Sequence, residues 1–408
     1  MLDWASRFDI FCFLDNAQYT IEPHGFEGLL AVGIADSVSS ADLKDIDSFL
    51  SKNHGGAFGH LSYELKSILH QMPSGKTDPI GFPLFFFFKP QYLLSIRDHE
   101  LVIEAEDPDL LFNELNDQKN VSRQLAQNPL EIRSKLSHDE YIEKIKGLQE
   151  HILRGDCYEI NFCQEFFAEN AWIDPVETYK RLITISPNPF SCLYKLHDQV
   201  LICASPERFL TGRGDKLYSQ PIKGTIKRNL SDPAEDERLK EELRQSAKDQ
   251  SENVMVVDLV RNDLSMVCQD GSVQVDELFG IYSFPQVHQM ISTISGIKKP
   301  DTTFSEIIEA TFPMGSMTGA PKHRVMELID EYETSARGIF SGSVGYIAGN
   351  GDFDFNVVIR SIMYNSKEQY LSYQVGSGIT FYSDPEKEWE ECLLKAKAIR
   401  QVLESESQ

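Results

Sequence analysis

The sequence predicts an α+β fold of large, mostly antiparallel sheets flanked by helices. Two observations carry this reading: short apolar runs of strand character recur along the chain, and amphipathic helical stretches lie among them. A third is that Gly, Asn and Asp turns separate successive strands near the end. At 408 residues the chain exceeds the size at which a single core usually stops growing, so two domains or one large two-layer body are expected.

Strand-like runs open the chain, in "FDIFCFLD", "GLLAVGI", "FPLFFFFK" and "YLLSIRDHELVIEAE", with a glycine-rich "GGAFGHLSYELK" among them. The most apolar of these, "GFPLFFFFKP", is too short to span a bilayer and reads as a buried strand ended by proline. Residues 121–136 are polar and without periodicity, which marks a boundary between a β-rich domain over 1–125 and a second domain over 137–403. Ser137 and Glu140 then form a capping box, and Tyr141, Ile142, Ile145, Leu148 and Ile152 share one helical face. Gly155 ends that helix, and "CYEINFCQEFFAE" continues as a strand. "LYKLHDQVLICASPERFLTG" reads as a hairpin, with "RGD" at 213–215 a turn. "DPAEDERLKEELRQSAKDQSENVMVVDLVRNDL" reads as a charged turn followed by a long helix. Strands fill 336–381, and a last helix starts where Asp384 can cap and Pro385 takes the first position.

Lys and Arg number 39 against 63 Asp and Glu, a net charge of −24 that disfavours nucleic acid and anionic membrane surfaces as partners. The seven cysteines are scattered without C-x-x-C pairs or zinc spacing, so reduced thiols and a cytoplasmic location are expected. The first residues lack the basic and apolar regions of a signal peptide.

Several stretches can carry chemistry. Glu252 shares a helical face with Met255, Val256 and Leu259, and Asp249 lies one turn earlier; this fits a structural ion pair or a metal site equally. Glu388, Glu391 and Lys395 form a stripe on the last helix beside a packing face of Trp389, Cys392, Leu393, Ala396 and Ile399. Such a stripe is ordinarily a solvated face, but two carboxylate helices facing each other would suit magnesium. "PMGSMTGAPKHR" lacks a phosphate-loop ending; its free N–H groups and the Ser316 and Thr318 hydroxyls suit an anion at the start of a helix. "QVGSGI" reads as a glycine turn, and Arg360 as a strand residue able to grip a carboxylate. In "SQPIKGTIKR", Lys223 stands among turn formers and an apolar residue, ordinarily a surface position.

Together, "ASPERF", "PIKGT", "SENVMVVDLVRNDL", "PMGSMTGAPKHRVMELIDE", "GSVGYIAGNGDFDFNVVIRS" and "GSGITFYSDPEKEWEECLLKA" resemble the chorismate-utilising enzymes in order and spacing. That family includes anthranilate synthase component I, aminodeoxychorismate synthase component I, and the isochorismate and salicylate synthases. The resemblance covers about residues 137–400 and extends more weakly to "GGAFGHLSYELK". It implies an α/β sandwich of two large antiparallel sheets with the active site between them, and makes 137–403 the chorismate-binding catalytic domain. It also implies magnesium ligands at Glu252 and Glu391 with Asp249 and Glu388 in support, and a general acid/base at Glu207. Substrate contacts are implied at Gly224, Thr225, His288, Ser316, Arg360, Gly376, Gly378 and Lys395.

Anthranilate synthases of this family usually read P-I-A-G-T where this chain reads "PIKGT", which is typical of aminodeoxychorismate synthases. The implied role of Lys223 is covalent: a desolvated lysine can lose its proton and add to ring carbon 2 of chorismate, and ammonia then enters at carbon 4. The product would be 4-amino-4-deoxychorismate, on the route to 4-aminobenzoate and folate. Glu159 in "CYEIN" departs from the lysine of the isochorismate-forming branch and from the glutamine frequent in aminodeoxychorismate synthases. No amidotransferase pattern is apparent, so a separate glutamine amidotransferase subunit is the implied ammonia source. "FLDN" at 13–16 is a poor match to the tryptophan-feedback signature L-L-E-S. Anthranilate formation and a catalytically silent, partner-binding homologue are the alternatives.

Overall fold

The computed structural model describes residues 1–19, 26–54, 56–117, 130–284 and 286–405. Side-chain alternation builds its layers. In the strand Ile10–Asp15, Ile10, Cys12 and Leu14 face one apolar core, while Phe11 and Phe13 face another. The run looks continuously apolar because both faces of its sheet are covered.

Among the described residues the strands form two antiparallel sheets. The eleven-stranded sheet runs Gly319–Ala320, Glu159–Ala168, Tyr370–Ile379, Ser361–Asn365, Gln199–Ser205, Phe190–Leu196, Ile10–Asp15, Gly28–Val32, Tyr92–Arg97, Glu100–Glu104, with Arg133–Ser134 also beside Glu159–Ala168. The ten-stranded sheet runs Ile222–Lys227, Val287–Ile297, Lys216–Gln220, Arg208–Arg213, Phe353–Asn356, Ser343–Ile347, Ala57–Leu61, Phe85–Lys89, Asp36–Val38, with Gln274–Ser283 also beside Val287–Ile297. One core takes side chains from both sheets, such as Cys12, Phe87 and Phe355, together with Val256, Val260 and Leu264 of the helix Ala247–Val267. The other lies under the helices His138–Arg154, Pro175–Ile185, Lys322–Tyr332 and Pro385–Ser405, against the far face of the eleven-stranded sheet.

The local signals act where they were read. The Ser137–Glu140 capping box is reciprocal, and Gly155 closes the helix with φ of 84°. Asp384 accepts hydrogen bonds from the N–H groups of Glu386 and Lys387. The hairpin Phe190–Leu196 with Gln199–Ser205 is present, and Gly214 turns the "RGD" loop. All seven cysteines are free and buried, and no helix among the described residues is long and apolar enough to cross a membrane.

Two expectations change. The charged stretch after Asp232 is a helix of its own, Pro233–Gln245, capped by Asp232 and laced by Arg238 pairs to Glu235 and Glu242; Ser246 then caps the next helix. Hydrogen bonding also crosses the expected division between 1–125 and 137–403: Ile10–Asp15 pairs with Phe190–Leu196, and Ala57–Leu61 with Ser343–Ile347. The two spans share both sheets, as the two-layer alternative requires. Residues 121–129 of the expected boundary lie outside the described residues.

Phe87 is fully buried and meets Phe304 and Phe355 edge-on. Phe87→Ala is expected to cost about 3–5 kcal/mol through lost burial and a residual cavity. Urea denaturation checks this as a lower midpoint at unchanged slope.

Candidate active site

Lys223 lies on an edge strand of the ten-stranded sheet, and its Nζ donates to Oε1 of Glu159, on the eleven-stranded sheet, at 2.6 Å. The pair is enclosed, with the Lys223 side chain 12% and the Glu159 side chain 4% exposed. Gly378 makes room for it. A Cβ at 378 would stand 2.5 Å from Glu159 Oε1 and 3.0 Å from Lys223 Nζ, and one at Gly376 would stand 2.3 Å from the Phe162 carbonyl oxygen. These glycines are interior to the strand Tyr370–Ile379, so the expected glycine turn is corrected to a strand whose missing side chains admit neighbours.

The resting charge of Lys223 follows from its neighbours. Burial alone would favour the neutral amine, but the charges of Glu159, Glu252 and Glu207, with the Glu159 hydrogen bond, outweigh it and hold Lys223 above the ordinary lysine range. Lys223 rests as an ammonium. Next to it, Gly224 has φ of 93°, and a Cβ there would approach the Asp249 side chain to 2.9 Å, so the turn packs closely on the first turn of the helix Ala247–Val267. Thr225 is exposed.

Glu207 is buried between the strands Gln199–Ser205 and Arg208–Arg213. Burial pushes its carboxyl up to about 7, against hydrogen bonds from the Ser316 side chain and the Ile222 N–H and the charge of Lys223. Glu207 and Ser316 line one cavity with Pro221 and Gly315. The Thr318 hydroxyl donates to the Met314 carbonyl, so it is engaged with its own turn rather than offered to an anion.

The two carboxylate helices do converge. The charges of Glu252, Glu388, Glu391 and Asp249 together outweigh the partial burial of Lys248 and hold it above the usual lysine value. Glu252 is pushed up to about 7, chiefly by burial, and its Oε1 is buried without a hydrogen bond. For Glu391, burial is outweighed by Lys395, Lys248 and Lys223, which hold its carboxyl below the usual range. Lys395 Nζ bridges Glu391 Oε1 and the Gly376 carbonyl, each at 2.8 Å. Glu388, expected beside Glu391 on an open stripe, is buried instead, in the row of Cys392 and Ala396. Asp249 accepts a hydrogen bond from Ser246 at the start of its helix.

These oxygens fit a hard divalent cation. Glu252 Oε1 is buried without a hydrogen bond, its neighbour being Lys248 Nζ at 3.8 Å, and magnesium needs only one or two carboxylates when water supplies the rest. Among the described residues no group of three or more acidic, histidine or cysteine side chains is placed to hold a metal ion.

Two candidates sit differently from expectation. Arg360 is outside the strands, at φ of 52°, where the chain passes from Phe353–Asn356 of one sheet to Ser361–Asn365 of the other. Its guanidinium, lowered by burial and opposed only by the charge of Glu391, makes no hydrogen bond or ion pair among the described residues. His288 is buried against Asp236 at 3.2 Å and Ser283 at 2.8 Å, and no hydrogen bond or ion pair among the described residues ties it to the Lys223 cluster. Sequence reasoning missed Arg337 and Glu333. Arg337 ties the carbonyls of Met317 and Asn161 while Glu333 takes the Cys163 N–H, pinning the Ser316 turn to the Glu159 strand. An isolated E-x-x-x-R spacing carries no signal that would have revealed this.

A family profile described as "chorismate binding enzyme" matches residues 18–401. A Salmonella typhimurium protein named "Aminodeoxychorismate synthase component 1" is 35% identical over 356 residues, 86% of this chain and 77% of the relative. A Synechocystis "Anthranilate synthase component I-like protein" is 34% identical over 361 residues, 86% of this chain and 73% of the relative. The chain spans 30% of the length of a rice "Probable aminodeoxychorismate synthase, chloroplastic", at 44% identity over 67% of this chain. In fold, the crystal structure of anthranilate synthase component I from Streptococcus pneumoniae superposes with TM-score 0.81 at 24% identity, covering 95% of this chain and 94% of that one.

Glu207 carries a pH prediction. With its folded value at about 7, the native state holds a proton that the unfolded chain releases at a lower pH, so burying the ionised form destabilises the protein above pH 7. The cost is on the order of 3 kcal/mol. Glu207→Gln is expected to lose less stability than wild type between pH 5 and pH 8, read from urea midpoints at the two values.

Proposed function

Because the chain belongs to the chorismate binding enzyme family, we propose that it is the chorismate-converting component of an aminodeoxychorismate synthase. It makes 4-amino-4-deoxychorismate from chorismate and ammonia, with magnesium in the site and a separate glutamine amidotransferase supplying the ammonia. One observation carries the reading: the "PIKGT" turn delivers Lys223 to an enclosed position among Glu159, Glu207 and Glu252. The name of the Salmonella relative supports it, and "component 1" there speaks for a second component.

Once Lys223 has given up a proton, its nitrogen bonds to ring carbon 2 while the bond from carbon 4 to its hydroxyl breaks. Glu207, which holds a proton up to about pH 7, gives it to the departing oxygen, and water leaves. Ammonia then bonds to carbon 4, and the lysine nitrogen leaves carbon 2. The net change is hydroxyl for amine with release of water.

Glu252 and Glu391 would hold the magnesium, supported by Asp249 and Glu388, and the ion when bound supplies positive charge for the ring carboxylate. The unpaired guanidinium of Arg360 is suited to a substrate carboxylate. Gly224, Thr225, Ser316, Gly376, Gly378, Lys395 and His288 complete the binding set in this reading. The Synechocystis relative's name favours anthranilate formation as the second reading, but that product carries nitrogen at carbon 2, where Lys223 would stand in its way.

The test is product analysis with chorismate, magnesium and ammonium salt. 4-Aminobenzoate is expected only after aminodeoxychorismate lyase is added, and fluorescent anthranilate without lyase would overturn the reading. Lys223→Ala is expected to lower turnover by on the order of 10²-fold or more. Glu391→Gln should raise the magnesium concentration for half-maximal turnover about tenfold, the carboxylate being one of the few such an ion is given. An unmoved magnesium titration would remove Glu391 from the ligand set.

A further inference from the structure

Glu159 has no part in the chemistry set out above, yet it is the group bonded to the nucleophile. Its Oε1 accepts from Lys223 Nζ at 2.6 Å, and its Oε2 is buried with no hydrogen-bond partner. Its backbone is held by the strand Gly319–Ala320: Glu159 pairs with Ala320, and a Cβ on Gly319 would strike its carbonyl oxygen at 2.1 Å. The absent side chain of Gly378 leaves the carboxyl and the ammonium in direct contact.

The charged groups facing Nζ come from four elements. Glu159 comes from the strand Glu159–Ala168, Glu252 from the helix Ala247–Val267, Glu207 from the connection before Arg208–Arg213, and Glu391, more weakly, from the helix Pro385–Ser405. Glu252 and Glu207 act on it through charge alone, with no hydrogen bond or ion pair to it; the strand Tyr370–Ile379 brings only Gly378 close. Glu159 is thus the group placed to receive a proton directly from Nζ.

We infer that Glu159 is the base that arms Lys223, an inference that rests on the reading of the site as chorismate-converting. An N–H bond of the ammonium breaks, its proton binds Glu159 Oε1, and the electron pair left on Nζ attacks the ring carbon. Ammonium and carboxylate become amine and carboxylic acid, so no net charge is created. The exchange removes two buried charges and is favoured as bound substrate displaces water from the site. The proton returns when the lysine nitrogen leaves the ring. Before substrate binds, the ion pair keeps the nucleophile protonated.

The test compares wild type, Glu159→Gln and Glu159→Asp in turnover of chorismate with ammonium salt from pH 6.5 to 9. Glutamine keeps the shape and can still accept from Nζ, but it cannot take the proton, so its lysine must lose a proton to solvent. The expected result is a loss of about 10²-fold or more in Glu159→Gln at pH 7.5, with the wild-type-to-variant ratio shrinking about tenfold per pH unit upward. Glu159→Asp should be slower but keep a pH-independent ratio to wild type. Equal rates, a faster glutamine variant, or a glutamine deficit unchanged with pH would each overturn the inference while leaving the reading of the site intact. Absence of chorismate turnover in the wild type itself would overturn both.

Discussion

A buried ammonium needs its carboxylates delivered from several directions at once, and that requirement organises this molecule. Lys223 belongs to one sheet and Glu159 to the other, so their bond closes the seam between the two layers. Glu207 and Glu252 add charge from a strand connection and a helix. None of these elements could satisfy the lysine alone. Removing either partner of such an enclosed pair leaves the other charge uncompensated, which typically costs about 3–5 kcal/mol. The site and the packing of the layers are therefore coupled.

The seam is held by groups that do no chemistry. Arg337 is fully enclosed and spends its donors on Glu333, the carbonyls of Met317 and Asn161, and the Ser341 hydroxyl. Those bonds fix the turn carrying Ser316 relative to the strand carrying Glu159. The Ser316 carbonyl also accepts from the Asn161 side chain, and Ser316 lines the cavity of Glu207. Buried polar support of this kind holds neighbouring groups to their geometry.

Local signals were legible in the sequence wherever one residue decides the outcome. The capping box at Ser137, the left-handed Gly155 and the Asp384 cap each stand as read. The resemblance located Lys223, Glu207, Glu252 and Glu391, and the structure brings these four into one electrostatic neighbourhood. What failed depended on tertiary context. Arg360 looked like a strand residue because its flanks are apolar and β-branched, but Val357, Val358 and Ile359 lie outside the strands, and Arg360 turns the chain between one sheet and the other. The glycines of "QVGSGI" looked like a turn because composition alone cannot separate a bend from a strand that needs empty space. Glu388 looked solvated because helical spacing does not say how deep an adjacent sheet will take a face. The pairing of Lys223 with Glu159 was out of reach for the same reason: the two lie 64 positions apart.

The opposing shifts at the site divide the labour of its residues. Burial acts on both Lys223 and Glu207, yet one is driven toward the charged form and the other toward the neutral one. The difference lies in the number of charges each one meets. Lys223 meets the charges of Glu159, Glu252, Glu207 and Glu391, whereas Glu207 meets a single ammonium that is already engaged with Glu159. Below about pH 7 protons therefore rest on both Glu207 and Lys223. In the proposed reaction only the second must move before a carbon–nitrogen bond can form, and the shortest path for it is to the Glu159 oxygen it already touches.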